Sequence, residues 1–212
     1  ENGTAALTRI FRIMGNFIQS AQETLDAEGV YSDHPRDRGG RTKYGVTEAT
    51  FKAALQRGIV SGVSDVRDLT REQAIAVFRA FFWDAIRLDK IIDDDIAGEI
   101  FDTAVNSGPA TAVRIAQLAL EYLGEKVQAD GVMGPKTISL LNKWCRKDPR
   151  ALYVCLNGFQ FIHFAAIYDR ELIEQVMRRV KSDPSQAEFT CGWTKRIQQY
   201  NGISKRRAPV PD

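Results

Sequence analysis

The stretch EGVYSDHPRDRGGRTKYGV, running from Glu28 to Val46, follows an amphipathic run in which Phe17, Ile18, Ala21 and Leu25 recur at helical spacing. Gly29 is a natural C-cap for that helix, so Glu28 is placed at its carbonyl end. Pro35, Gly39 and Gly40 then forbid a continued helix and favour a tight return of the chain. In the returning arm Thr42, Tyr44 and Val46 alternate as in a short strand, with Gly45 allowing close backbone approach. A helix delivering an acid into a small hairpin is the expected local architecture.

The carbonyl end of a helix disfavours added negative charge, as does partial burial, and both raise a carboxyl pKa toward the range a general acid needs. Glu28 is therefore a candidate proton donor, against the plain alternative of a solvated glutamate at a fraying helix end. Asp33 and Asp37 lie five and nine positions further on, where a returning hairpin can set a second carboxylate opposite the first. Glycoside hydrolysis generally uses such a pair: one acid protonates the leaving oxygen, and one carboxylate orients water or stabilises the oxocarbenium-like transition state. Turn chemistry competes for both aspartates, more strongly at Asp33 than at Asp37. The Thr42 hydroxyl is suited to holding a water or a sugar hydroxyl, although threonine is also simply a good strand residue. Tyr31 and Tyr44 offer ring faces to a sugar or to packing within the hairpin.

Beyond the hairpin the chain reads as helical. Thr47 caps a helix carrying Phe51, Ala54 and Leu55 that Gly58 ends, and Thr70 with Gln73 makes a capping box before Ala74, Val77, Phe78, Phe81 and Phe82. A helix through Ile96, Ile100, Phe101 and Val105 stops at Asn106, Ser107, Gly108 and Pro109. Asn106 is thus a candidate glycan contact or, equally, a left-handed helix cap. Another helix runs through Ile115, Leu118 and Leu123 to Gly124, and others start near Pro135, Pro149 and Pro184. The uncharged run from Ala151 to Tyr168 reaches membrane-helix length, but Asn157, Gly158, Gln160 and His163 interrupt it, so a buried core helix is expected.

The segment from Glu28 to Thr47, with Phe101, Asp102, Ala104, Val105, Asn106, Ser107 and Gly108, resembles the glycoside hydrolase 108 family of bacterial and phage peptidoglycan hydrolases. Its members are N-acetylmuramidases of lysozyme type, some labelled secretion activators. The family pattern runs EGGY, then P, D, GG, T and YGI, and its glutamate is catalytic, which points to Glu28. Here Val30 replaces a glycine, while Tyr31, Pro35, Asp37, Gly39, Gly40, Thr42, Tyr44 and Gly45 match. The Glu, Asp, Thr order also resembles that of phage lysozymes, which supports Asp37 and Thr42 as partners of Glu28. Gln117, Asp130, Gly131, Gly134, Pro135 and Thr137 resemble the peptidoglycan-binding segment found downstream in the same family, and Phe189, Gly192, Trp193 and Arg196 its closing pattern.

Composition fits this picture. With 212 residues, 44% of them hydrophobic, the chain can bury a sizeable core in one domain or two intimate halves. A net charge of +2 favours approach to an anionic cell wall yet falls short of a nucleic-acid footprint. Cys145, Cys155 and Cys191 show no CxxC pair, leaving one bridge or three buried thiols. With only His34 and His163 present, a His-rich metal site is not expected, and Asp93 to Asp95 fit a helix start better than a calcium loop.

The expected fold is mainly α, a lysozyme-like helical fold with a small β-hairpin beside the active cleft. Residues 1–14 are expected to be an extension, 15–110 the catalytic region, 111–205 a helical peptidoglycan-binding region packed on it, and 206–212 a tail. The expected activity is hydrolysis of the β-1,4 bond between N-acetylmuramic acid and N-acetylglucosamine, without cofactor or metal. The alternative is a non-catalytic peptidoglycan-binding protein acting in export or attachment. Expected partners are peptidoglycan glycan strands acted on by a monomer, with no nucleic acid and no stable membrane insertion. No signal peptide is recognisable, so action at the periplasm or cell wall of a bacterial or phage-infected cell would need another export route.

Overall fold

The structure, a computed structural model, describes residues 17–22, 24, 25, 31, 32 and 40–179. It is mainly helical and lysozyme-like, with one small antiparallel sheet. The described residues divide into two compact units: those within 1–90 together with 101–111, and those within 91–100 together with 112–179.

In the first unit, residues 17–22 and 24–25 are helical (α1). Phe17, Ala21 and Leu25 are buried as their spacing predicts, while Ile18 is turned to solvent. The sheet comprises β1 (Tyr31–Ser32), β2 (Thr42–Lys43) and β3 (Val46–Thr47), one strand more than the expected hairpin. Helix α2 (Glu48–Gln56) starts on Thr47, whose hydroxyl accepts from the Thr50 N–H. Gly58, at a φ of 69°, follows its end. Helix α3 (Arg71–Phe78) starts on the complete capping box of Thr70 and Gln73.

After Phe78 the α-helix gives way to a π-helical turn, Arg79–Trp83, which aims Trp83 inward. Trp83 and Phe78 meet Phe101 edge to face, with centroids 5.7 and 6.0 Å away, and Phe17 closes the cluster at 6.0 Å from Phe101. Phe81 and Phe82 are only half-buried. Phe101 enters from α4 (Asp94–Ser107), which begins in the second unit and ends in the first. Asp93 caps α4, its carboxylate accepting from the N–H groups of Asp95 and Ile96, so the acidic run is a helix start.

The second unit contains α5 (Pro109–Tyr122, from Ala112 onward), α6 (Pro135–Lys147), α7 (Pro149–Tyr168) and α8 (Arg170–Arg179). Proline occupies the first turn of α5, α6 and α7, where its missing N–H costs no helical bond. Cys145 and Cys155 are buried, and Cys191 lies outside the described residues.

The expectation for α7 needs correction. Ala151, Leu152, Val154, Cys155 and Leu156 are buried, but Phe161 is 71% exposed, and Ile162, Phe164, Ile167 and Tyr168 are also exposed. Past Phe159, which meets Tyr122 edge to face, the helix is a core element no longer, and His163 lines a shallow groove with Ile167, Arg170 and Glu174. Helix α7 is long and apolar enough to cross a bilayer by length and composition, with its first turns committed to the protein core.

Candidate active site

Glu28, Asp33 and Asp37 lie outside the described residues; the other expected site residues do not. Helix α1, which leads toward Glu28, is anchored by the buried side chains of Phe17, Ala21, Thr24 and Leu25. Phe17 packs on Trp83 and lies under the Arg79 guanidinium, which is 5.1 Å from its ring centroid.

Thr42 and Tyr44 belong to one hairpin. Thr42 pairs with Ser32 on one side and Thr47 on the other, and Lys43 pairs with Tyr31 and Val46. The Thr42 hydroxyl donates to the Gly40 carbonyl at 3.1 Å. Its oxygen keeps acceptor capacity for a further donor. Tyr31, at the sheet edge, is 42% exposed, and Tyr44 is half-buried. Tyr44 and Gly45 form the two-residue turn, both with positive φ (53° and 75°), as a type I′ turn requires. Glycine adopts this readily, but for a bulky residue such as Tyr44 it costs about 1–3 kcal/mol, a strain that must be held by the surroundings.

Sequence reasoning missed the ion-pair frame beside this turn. The Arg41 guanidinium donates to both carboxylate oxygens of Glu48, at 3.1 and 2.9 Å, and to Asp65 at 2.9 Å. Lys52 adds an ion pair to Glu48, and Arg67 donates to Asp65 from its backbone and its side chain. The Lys43 ammonium donates to the Arg67 carbonyl. Arg41 hydrogen bonding lowers the Glu48 pKa from 4.5 to about 2, with Lys52 next in effect. Asp65 is held well below the usual carboxylate range, chiefly by the Arg67 side chain. Since these folded-state values are depressed, the clasp stabilises fully above the ordinary carboxylate range, and Glu48's share is lost as pH falls toward 2.

Asn106 lies in the last turn of α4, where its side-chain amide donates to the Asp102 carbonyl at 3.0 Å. The left-handed cap that the sequence offered to Asn106 is taken by Gly108, at a φ of 86°, whose N–H bonds the Ala104 carbonyl. Glycine takes that conformation without the Cβ clash asparagine would incur. Among the described residues no group of three or more His, Cys, Asp or Glu side chains is arranged to hold a metal.

The second cluster lies in the second unit, between α5 and α6. Gln117 is 1% exposed, and its amide nitrogen donates to Asp130, the Val132 carbonyl and Thr137, while its oxygen accepts from the Gly131 N–H. The loop is built around this one side chain, with Gly131 at a φ of 80° and Val132 at 63% exposure on its outer side. Orphaning a buried polar group costs about 1–3 kcal/mol, so Gln117→Leu should destabilise the unit by at least that, read as a lower urea midpoint at unchanged slope.

Residues 21–108 match the family model for glycosyl hydrolase 108, and residues 111–198 match that for a predicted peptidoglycan domain. The structure is similar to that of Brucella abortus SagA, with 25% identity and a TM-score of 0.59 over 92% of this chain and 98% of that one. No curated protein matches the chain. A glycosidase acting on peptidoglycan places its work at the cell wall or periplasm. The Glu28 segment and the hairpin fall in the hydrolase match and the Gln117 loop in the other, so a glycosyl hydrolase 108 region is followed by a predicted peptidoglycan domain on its C-terminal side.

Proposed function

We propose that the protein is an N-acetylmuramidase that hydrolyses the β-1,4 bond between N-acetylmuramic acid and N-acetylglucosamine. The observation that carries this reading is the glycosyl hydrolase 108 match over the residues containing Glu28, followed directly by a predicted peptidoglycan domain. Glu28 is the general acid that protonates the leaving glycosidic oxygen. Asp37 is the second carboxylate, orienting water or stabilising the oxocarbenium-like transition state.

Thr42 positions the water or a sugar hydroxyl, which the spare acceptor capacity of its oxygen supports. Tyr31, Tyr44 and Asn106 contact the glycan; exposure of the Tyr31 ring at the sheet edge supports its place there. Residues 15–110 form the catalytic region and 111–205 extend the glycan contact, with a monomer working on peptidoglycan strands.

Digestion of purified peptidoglycan, with the soluble products analysed by mass spectrometry, tests the reaction. Fragments ending in reducing N-acetylmuramic acid are expected. Anhydro-muramic ends would assign a lytic transglycosylase instead, and binding without release would favour a role in attachment or export.

A further inference from the structure

We infer that Arg41 is a positioning residue for the hydrolytic reaction, acting through the hairpin that carries Thr42 and Tyr44. This rests on the proposed muramidase reading, in which those two side chains touch the glycan or its attacking water.

The inference starts from register. Thr42 pairs with Thr47 and Lys43 with Val46, so the next pair outward from the turn is Arg41 opposite Glu48. A backbone bond from the Glu48 N–H to the Arg41 carbonyl, at 2.8 Å, closes that position. The two-pronged bond from the Arg41 guanidinium to the Glu48 carboxylate lies directly on top of it. Backbone and side chains therefore lock the same pair, at the point where the hairpin ends and α2 begins.

Such a lock is needed because the hairpin has little else to fix it. Each strand is two residues long, and the turn holds a tyrosine in a left-handed conformation. A slip of one residue in a strand sends every side chain to the opposite face, which would remove the Thr42 hydroxyl from its place. The third guanidinium contact reaches Asp65, the N-cap of the 3-10 turn Val66–Asp68, and the Lys43 bond to the Arg67 carbonyl reaches the same turn. Arg41 thereby ties β2, the start of α2 and this turn into one frame.

Half-exposed ion pairs contribute little to stability, so the role of this one lies in geometry. Lysine cannot replace it, since an ammonium lacks the planar fork that engages two carboxylate oxygens and a third acceptor at fixed angles.

The test is a double-mutant cycle on solubilised glycan strands, with Arg41→Lys, Thr42→Ala, the double variant and Glu28→Gln assayed for kcat and KM beside thermal midpoints. Misplacement by about 1 Å can cost around 100-fold in rate. Arg41→Lys is expected to lower kcat by about 10–100-fold with a thermal midpoint close to wild type, and to cost little more once Thr42 is already alanine. Near-wild-type kcat in both Arg41→Lys and Arg41→Met, or penalties from Arg41→Lys and Thr42→Ala that simply multiply, would overturn the inference. Glu28→Gln reports separately on the muramidase reading: full activity there sinks that reading, whereas an inactive Glu28→Gln beside an unaffected Arg41→Lys sinks only the positioning role.

Discussion

Glu28→Gln is expected to lower kcat for peptidoglycan cleavage by about 10²–10⁴-fold, the range that a positioned general acid supplies. Glutamine keeps the size of the side chain and its hydrogen bonding but has no proton to give to the leaving oxygen. Because the loss is confined to the chemical step, binding to insoluble peptidoglycan should stay close to wild type. Turbidity loss of a wall suspension, followed beside a pull-down on the same suspension, separates the two effects. Residual activity near wild type would move the acid elsewhere in the hydrolase region.

The second large effect is expected at Phe101, whose removal takes the common partner from three aromatic rings. Phe101 is fully buried, edge to face with Phe17, Phe78 and Trp83. Truncating a buried phenylalanine costs about 3–5 kcal/mol, combining lost transfer free energy with the cavity left behind. Aromatic pairs of this geometry add about 0.5–1.5 kcal/mol each beyond area burial, which puts Phe101→Ala at the upper end. For a unit of this size such a loss lowers the unfolding midpoint by more than about 10 °C. Calorimetry should show the shift, and Phe101→Leu, which keeps most of the volume, should recover a large part of it. Phe17 belongs to the helix that leads to Glu28, so the variant should also lose activity at temperatures below its midpoint.

The local parts of the fold were legible in the sequence because their causes are local. A threonine hydroxyl three residues before a backbone N–H, or a glycine past the last buried turn, acts within a few positions, and so the starts of α2 and α3 and the end of α2 fell where Thr47, Thr70 and Gly58 put them. The buried stripe of Phe17, Ala21 and Leu25 was legible for the same reason.

What escaped depends on register or on distant cover. The Arg41–Glu48 pair becomes visible only once Tyr44 and Gly45 are recognised as a two-residue turn, since that alone sets positions 41 and 48 opposite each other. The left-handed position at the end of α4 lies at Gly108, two residues past Asn106, because glycine takes that backbone at less cost than asparagine. Helix α8, held along its surface by Arg170, Glu174 and Arg178, went unread behind the apolar run of α7. No periodicity in that run foretold that Leu156 would be buried and Phe161 exposed, because such a change depends on where neighbouring helices end. In the candidate site, the residue types of the hairpin were readable, and the carboxylate frame around it was not.

The two buried cysteines carry a consequence for a protein that works outside the reducing cytoplasm. Burial pushes the Cys145 thiol up to about 12, which keeps it from forming, at neutral pH, the thiolate that attacks a disulfide. Cys155 is likewise shielded within the first turns of α7. Once folded, this part of the chain should pass through an oxidising compartment as a spectator, neither forming mixed disulfides with thiol oxidases nor climbing toward sulfenic acid. Packing thus gives Cys145 and Cys155 a redox insulation that the cysteine count alone would not suggest.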